Sequence, residues 1–496
     1  MLSIFSMIVS LFMGLVYTPF AIRLLGQSEY AISNLAASVI SYLSILDLGF
    51  GNTLVRYSAR NRAKGEDDSH INGLFLILYI IIGIAALLIG AILGLNIEGF
   101  FSGGLTDAEA HTLAVVFWIL LANTVVTFPL SAVRAMISSH EKFIFLNGIS
   151  VFSNILHHAA NICFLLIGYK AVGLAVISLA FTLIVGLVNI YYCFAVLHAK
   201  VSFRRLDTSF YKEIFKYSFF ILLNIIVDRL YASTDKVILG KLCGSAAVAV
   251  YGIGVTFEGY YTTFSVSISS VFLPHITKLS TQKDGVRSMS DTFLRIGHIQ
   301  FLILSFIACG FIVFGQDFIV FWAGEDYRKS YFIALIIMLS LIIPLSQNIG
   351  ISILRALNKH ATRSVMYLII AIINIGITIP LAMRWEGIGA AIGTAVGHLL
   401  GQILFMNWYY WKKIEIDIPS YWKQSLKILI QMIPVGIVFW GIENRILLQG
   451  FSGLLIKIVI GIIISAPYIY IFIMNRYEKD LVLNSMVSIR SRRHRQ

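Results

Sequence analysis

The chain has 496 residues, of which 58% are hydrophobic and only 13% charged, with a mean hydropathy of +0.84. Soluble domains average about 25% charged residues, and a water-soluble chain of this composition would expose apolar surface and aggregate. Ordinary cytosolic domains and disorder are therefore excluded. The formal net charge of +13 reads as Lys and Arg gathered in cytoplasmic loops, not as a nucleic-acid surface.

Apolar stretches predict helices over 3–25, 29–56, 71–97, 111–135, 143–168, 171–198, 213–240, 246–274, 294–321, 331–354, 363–383, 387–410, 424–443 and 451–475. Each is long enough to cross a bilayer core. Open strands cannot cross lipid, and the alternation of a membrane barrel is missing. The expected fold is an all-α integral membrane protein of about fourteen spans. The first stretch lacks a basic n-region and reads as a span, not a cleaved signal. With the N-terminus placed in the cytoplasm, 28 of the 38 basic residues fall in cytoplasmic loops or the tail, so both termini are expected there. No loop is long enough for a soluble catalytic domain. Cys163, Cys193, Cys243 and Cys309 are scattered and imply neither a disulfide framework nor a metal knot.

The chain repeats itself. Ser131–Ala135 (SAVRA) ends span 4 and Ser352–Ala356 (SILRA) ends span 10. Leu25-Gly26 and Leu239-Gly240 end spans 1 and 7, and Gly173-Leu174 and Gly387-Ile388 open spans 6 and 12. Two six-helix lobes of like orientation are expected, as in transporters built from parallel repeats: 1–200 and 201–412. Two extra helices over 413–475 and a basic cytoplasmic tail over 476–496 follow.

Phosphate-loop, HExxH, CxxC and GxSxG signatures are missing, so no enzyme, cofactor or metal site is expected. Charges inside spans carry the signal, because a central Asp or Arg costs about 2.5–3.5 kcal/mol to insert and normally faces a cavity or partner. Span 7 carries Asp228, Arg229, Asp235 and Lys236, span 8 Glu258, and span 2 Asp47 with Arg56 near its end. Two readings stand for them: salt bridges gluing helices together, or a hydrated substrate path with coupling carboxylates. Arg229 is expected near mid-membrane, with Glu258 or Asp47 as its partner. Arg134 and Arg355, at span ends, either snorkel or capture an anionic headgroup with the forked geometry that suits phosphate. His157, His158 and His398 read as packing or as a proton relay. Gly389, Gly393, Gly397 and Gly401 form a seam for close helix contact.

The stretches Leu25–Tyr30 (LGQSEY), Leu46–Asn52 (LDLGFGN) with Arg56, Asp235–Gly240 (DKVILG) with Tyr251, and the two Arg-Ala pairs resemble polysaccharide and O-antigen flippases. These belong to the multidrug/oligosaccharidyl-lipid/polysaccharide exporter superfamily. The resemblance implies two lobes in a V around a central cationic cavity. It implies translocation of an undecaprenyl-diphosphate-linked oligosaccharide across the bacterial cytoplasmic membrane, coupled to H⁺ or Na⁺. Membrane lipids, a polysaccharide polymerase and a chain-length protein are the implied partners. A peptidoglycan-precursor flippase or a drug exporter of the same superfamily is the alternative. A membrane polymerase or ligase is disfavoured, because no large outer loop is present.

Overall fold

The structure, a computed structural model, describes residues 2–203, 208–282, 284–446, 448, 450–481 and 483. Arg204, Arg205 and Lys283, which belong to the 28 basic residues counted as cytoplasmic, and the tail from 484 onward lie outside the described residues. Among those described, regular structure is entirely helical.

The helices are α1 (Leu2–Leu25), α2 (Gln27–Ser41), α3 (Phe50–Ala63), α4 (Ser69–Phe101), α5 (Asp107–Ser139), α6 (Phe143–Ile167), α7 (Ala171–Tyr191), α8 (Thr208–Leu242) and α9 (Ser245–Val271). They continue as α10 (Leu273–Leu279), α11 (Gly285–Ala323), α12 (Ser330–Ser346), α13 (Ile349–Ala356), α14 (His360–Gly397), α15 (Met406–Tyr409), α16 (Ile418–Arg445) and α17 (Gly450–Tyr468). Among the described residues, ten helical segments are long and apolar enough to cross a membrane. One of these, Ala361–Ile414, is broken by non-helical backbone at Trp385 and Glu386. That break falls between the predicted spans 363–383 and 387–410. Pro274 opens the short α10, where its missing N–H costs nothing.

The chain forms two compact units: Met1–Ile253 with Ala361–Thr394, and Gly254–His360 with Ala395–Gln496. In the first, α5 packs on α4, α7, α2 and α3, and α1 lies on α6. Its core gathers Phe50, Leu54, Tyr57, Phe75, Tyr79, Phe128 and Met136. Gly389 and Gly393 let the two arms of α14 touch. A Cβ on Gly389 would lie 2.0 Å from the Leu381 carbonyl oxygen, and one on Gly393 2.3 Å from Thr378 Oγ1. Small residues suit such seams because lipid tails are as apolar as Leu, so close packing and polar bonds drive helix association. In the second unit, α11 packs on α12 and α16, and α16 on α17. Buried Gln300 there donates to the Ser265 carbonyl (3.0 Å) and to Ser269 Oγ (2.7 Å). Lys457 on α17 meets Glu443 on α16 at 2.9 Å. The outward positions are apolar instead: Ile81, Ile84, Leu88, Ile92 and Leu95 of α4 are exposed, as lipid-facing side chains should be.

Candidate functional site

The predicted span 29–56 is not one helix. After α2 the chain tightens into a 3₁₀ turn, Tyr42–Asp47. Leu48 (φ 52°) and Gly49 (φ 70°) then take left-handed backbone, and α3 starts at Phe50. A Cβ on Gly49 would sit 2.3 Å from Ile221 Cγ2, so both backbone and space require glycine. A left-handed Leu costs roughly 1–2 kcal/mol. Such breaks persist at membrane depth where the loosened backbone borders a cavity or is buried in protein.

This one borders a cavity of about 680 Å³ within the first unit, walled by Ser41, Ser44, Asp47, Gly51, Asn52, Tyr79, Thr127, Ser131, Arg134 and Arg229 among others. Asp47 accepts a 2.6 Å hydrogen bond from the hydroxyl of Tyr79, a ring that is buried edge-on against Phe50. The carboxylate is thereby committed to the wall. Arg134 is exposed to the cavity and, among the described residues, donates to Ser150 Oγ at 3.4 Å. Arg229 is half-buried, and its Nε has no hydrogen-bond partner among the described residues. Asp47 makes no ion pair with either arginine among the described residues. Gly51 and Asn52 stand in the first turn of α3, whose dipole favours negative charge; the Asp47 carboxylate and the Tyr79 hydroxyl already take the N–H groups of Gly49 and Gly51. Two guanidiniums, this helix start and the Asp47 carboxylate face one space, and a guanidinium fork has the donor geometry that suits phosphate oxygens.

The cavity thus unites Asp47, Arg134 and Arg229 of the residues singled out in the sequence. Arg56 is exposed on α3, over the Tyr57 ring at 5.9 Å. Asp228 lies on an exposed face of α8. Lys236 donates to Asn34 Oδ1 at 3.4 Å. Asp235, only 3% exposed, parts company with it. Its Oδ2 accepts from the hydroxyls of Tyr251 (2.5 Å) and Thr394 (2.6 Å). Glu258 (α9) and Arg355 (last turn of α13) belong to the second unit, where Arg355 is exposed. His158 packs on Tyr17 with ring centroids 4.6 Å apart, and buried His398 shares a 2.9 Å hydrogen bond with Ser340. Sequence reasoning missed Tyr79 and the hydroxyl stripe of α5, and quoted Asn52 only as part of a motif. Thr127, Ser131, Arg134 and Ser138 recur at helical spacing, and that periodicity was the available signal.

The family model described as "Polysaccharide biosynthesis protein" matches residues 1–280. Among curated proteins, the chain is 22% identical over 503 residues to the uncharacterized membrane protein EpsK of Bacillus subtilis, covering 96% of this chain and 95% of that one. It is also 22% identical over 409 residues to a putative O-antigen transporter of Shigella flexneri, covering 80% and 93%. Among solved structures, the lipid II flippase MurJ in an inward closed conformation has a TM-score of 0.75 at 16% identity, over 97% of this chain and 98% of that one. An inward-facing multidrug resistance MATE family transporter has a TM-score of 0.65 at 15% identity, over 83% and 96%. These structural likenesses carry the fold.

Proposed function

This chain belongs to the polysaccharide biosynthesis protein family, and from that membership and the arginine-walled cavity we infer that it flips a lipid-diphosphate-linked oligosaccharide across a bacterial cytoplasmic membrane. The observation that carries this is the pair Arg134 and Arg229 facing one polar cavity beside the N-terminus of α3, with Asp47 turned to Tyr79. A diphosphate offers the two or more acceptor oxygens that such a donor set can bind, and an arginine fork binds phosphate in two parallel bonds. In this reading the diphosphate sits in the cavity while the lipid tail stays in the bilayer. Transport requires only binding and a change of access, with no covalent chemistry.

The topology proposed is fourteen spans with both termini cytoplasmic, in lobes 1–200 and 201–412 followed by two further helices. Arg355, related to Arg134 by the repeat, is the corresponding cation of the second lobe, with Arg56 and Lys236 as lesser contributors. Asp235, held by two hydroxyls, is the carboxylate proposed to take up H⁺ or Na⁺, with Asp228 and Glu258 as further candidates. A polymerase and a chain-length protein would be the downstream partners. Likeness in fold to a lipid II flippase favours a second reading, a lipid-diphosphate cargo that carries peptide. Export of cationic drugs is disfavoured by two arginines in the cavity.

The test is glycan display in cells whose only copy is a variant. Arg229→Ala should lower display at least about 30-fold, the cost of removing one partner of a buried charge pair, at unchanged protein level. Normal display by Arg229→Ala would overturn the reading. Normal glycan display with failed peptidoglycan synthesis would select the second.

A further inference from the structure

A second, smaller cavity of about 350 Å³ opens between α5, α6 and α7 in the first unit. It shares Thr127, Ser131 and Arg134 with the larger cavity. These three residues are spaced i, i+4, i+7 along α5, so one helical stripe forms the wall common to both. A ligand seated against Arg134 can therefore extend past the stripe into either space.

The two cavities differ in hydrogen-bonding character. The larger one presents two guanidiniums beside the start of α3. The smaller one shares the Arg134 guanidinium and carries the His157 ring, but its other polar groups are hydroxyls and amides. Thr127 donates its hydroxyl proton to the Asn123 carbonyl (2.7 Å), Ser131 to the Thr127 carbonyl (2.9 Å) and Ser178 to the Leu174 carbonyl (2.9 Å). Each hydroxyl proton is spent on its own helix, which leaves oxygen lone pairs for the cavity at Thr127 and Ser131; the Ser178 oxygen also lies 3.3 Å from His157 Nε2. Asn189 is 4% exposed, and its Oδ1 has no hydrogen-bond partner among the described residues; the buried Asn123 Oδ1 has none among them either. A buried acceptor left unsatisfied costs about 1–3 kcal/mol, so an occupant that supplies hydrogens is favoured there. A phosphate, which has only acceptors to offer, satisfies none of these oxygens. The ring of Phe181, edge-on to His157 at 5.3 Å, adds an apolar surface of the kind that C–H faces cover.

We propose that this cavity is the saccharide subsite: the sugar joined to the diphosphate enters it as a hydroxyl donor while the diphosphate stays with Arg134 and Arg229. A polyol satisfies many acceptors at once with neutral O–H groups, and 350 Å³ has room for one pyranose ring. The inference rests on the lipid-diphosphate reading above.

The test uses the purified full chain in nanodiscs and two probes, undecaprenyl diphosphate and the same lipid carrying one hexose. Wild type should bind the hexosyl lipid more tightly than the bare diphosphate. Asn189→Leu and Thr182→Val, each removing one acceptor from a side chain that lines the smaller cavity, should weaken the hexosyl lipid about five- to tenfold, the worth of one neutral hydrogen bond. Both should leave the bare diphosphate unchanged. Arg134→Gln should weaken both probes. The subsite is overturned if the wild type does not distinguish the probes, or if both acceptor variants bind each as the wild type does. It is also overturned if Thr182→Val, a near-isosteric change that spares folding, weakens both equally. Failure of the wild type to bind either probe would instead overturn the lipid-diphosphate reading itself.

Discussion

A carboxylate inside a membrane span must be met by a cation, a proton or hydrogen bonds. In the first unit, half-buried Asp47 and buried Asp235 both use hydrogen bonds, and they use them differently. Asp47 is tied to one rigid tyrosine beside a cavity; Asp235 is clasped by hydroxyls from α9 and α14. Hydroxyls can turn to donate to a carboxylate or accept from a carboxylic acid. The Asp235 clasp therefore suits either protonation state. Asp235→Asn keeps size and hydrogen bonding but loses the charge. It should transport at the same rate with or without an imposed H⁺ or Na⁺ gradient, measured as gradient-driven uptake in vesicles. A variant still accelerated by the gradient would remove Asp235 from coupling. The charges themselves were legible in the sequence, because each interrupts an apolar run. Their partners were not: Tyr79 lies 32 residues from Asp47, and Thr394 lies 159 from Asp235. Asp235 and Lys236 are adjacent in sequence, but successive helical residues point about 100° apart, and the structure gives them different neighbours.

At the scale of the element, the break in span 2 does what a continuous helix could not: it turns the N-terminus of α3 toward a cavity. Hydropathy cannot see it, since Leu46, Leu48 and Phe50 keep the run apolar and a left-handed Leu looks like any other Leu. The glycines were visible, but only the fold shows which one is irreplaceable. Gly26 and Gly49 both have positive φ (77° and 70°), but a Cβ on Gly26 meets nothing within 4 Å whereas one on Gly49 collides with Ile221. Gly49→Ala should cost about 2–4 kcal/mol once overpacking is added to backbone strain. Gly26→Ala should cost about 1–3 kcal/mol from backbone strain alone, because φ 77° with ψ 169° is reached essentially only by glycine. In thermal unfolding in detergent, adding Ile221→Ala should recover part of the Gly49→Ala loss and none of the Gly26→Ala loss, and no recovery would remove the packing argument. The seam glycines Gly389 and Gly393, by contrast, were legible from spacing alone.

For the whole molecule, composition already declared a multi-pass helical membrane protein, because no water-soluble arrangement could cover so much apolar surface. The family was legible too, in short motifs at the ends of spans 1, 2, 4, 7 and 10. The second cavity was not legible: its acceptors come from three helices, and only folding aligns them. The basic bias sets the proposed topology. In a chain without its four cysteines, Ser102→Cys in the α4–α5 loop should react with an impermeant thiol reagent on intact cells. Lys64→Cys, between α3 and α4, should not, and the reverse pattern would invert the topology. The central claim is movement of a lipid-diphosphate oligosaccharide by a cavity whose arginines hold the diphosphate. It is tested most directly in proteoliposomes loaded with undecaprenyl-diphosphate oligosaccharide, by following the fraction of glycan that an external glycosidase can cut. With the wild-type chain that fraction should climb steadily above the level of protein-free liposomes, and with Arg229→Ala it should stay at that level. A wild-type trace indistinguishable from protein-free liposomes, or an Arg229→Ala trace that matches the wild type, would contradict the account.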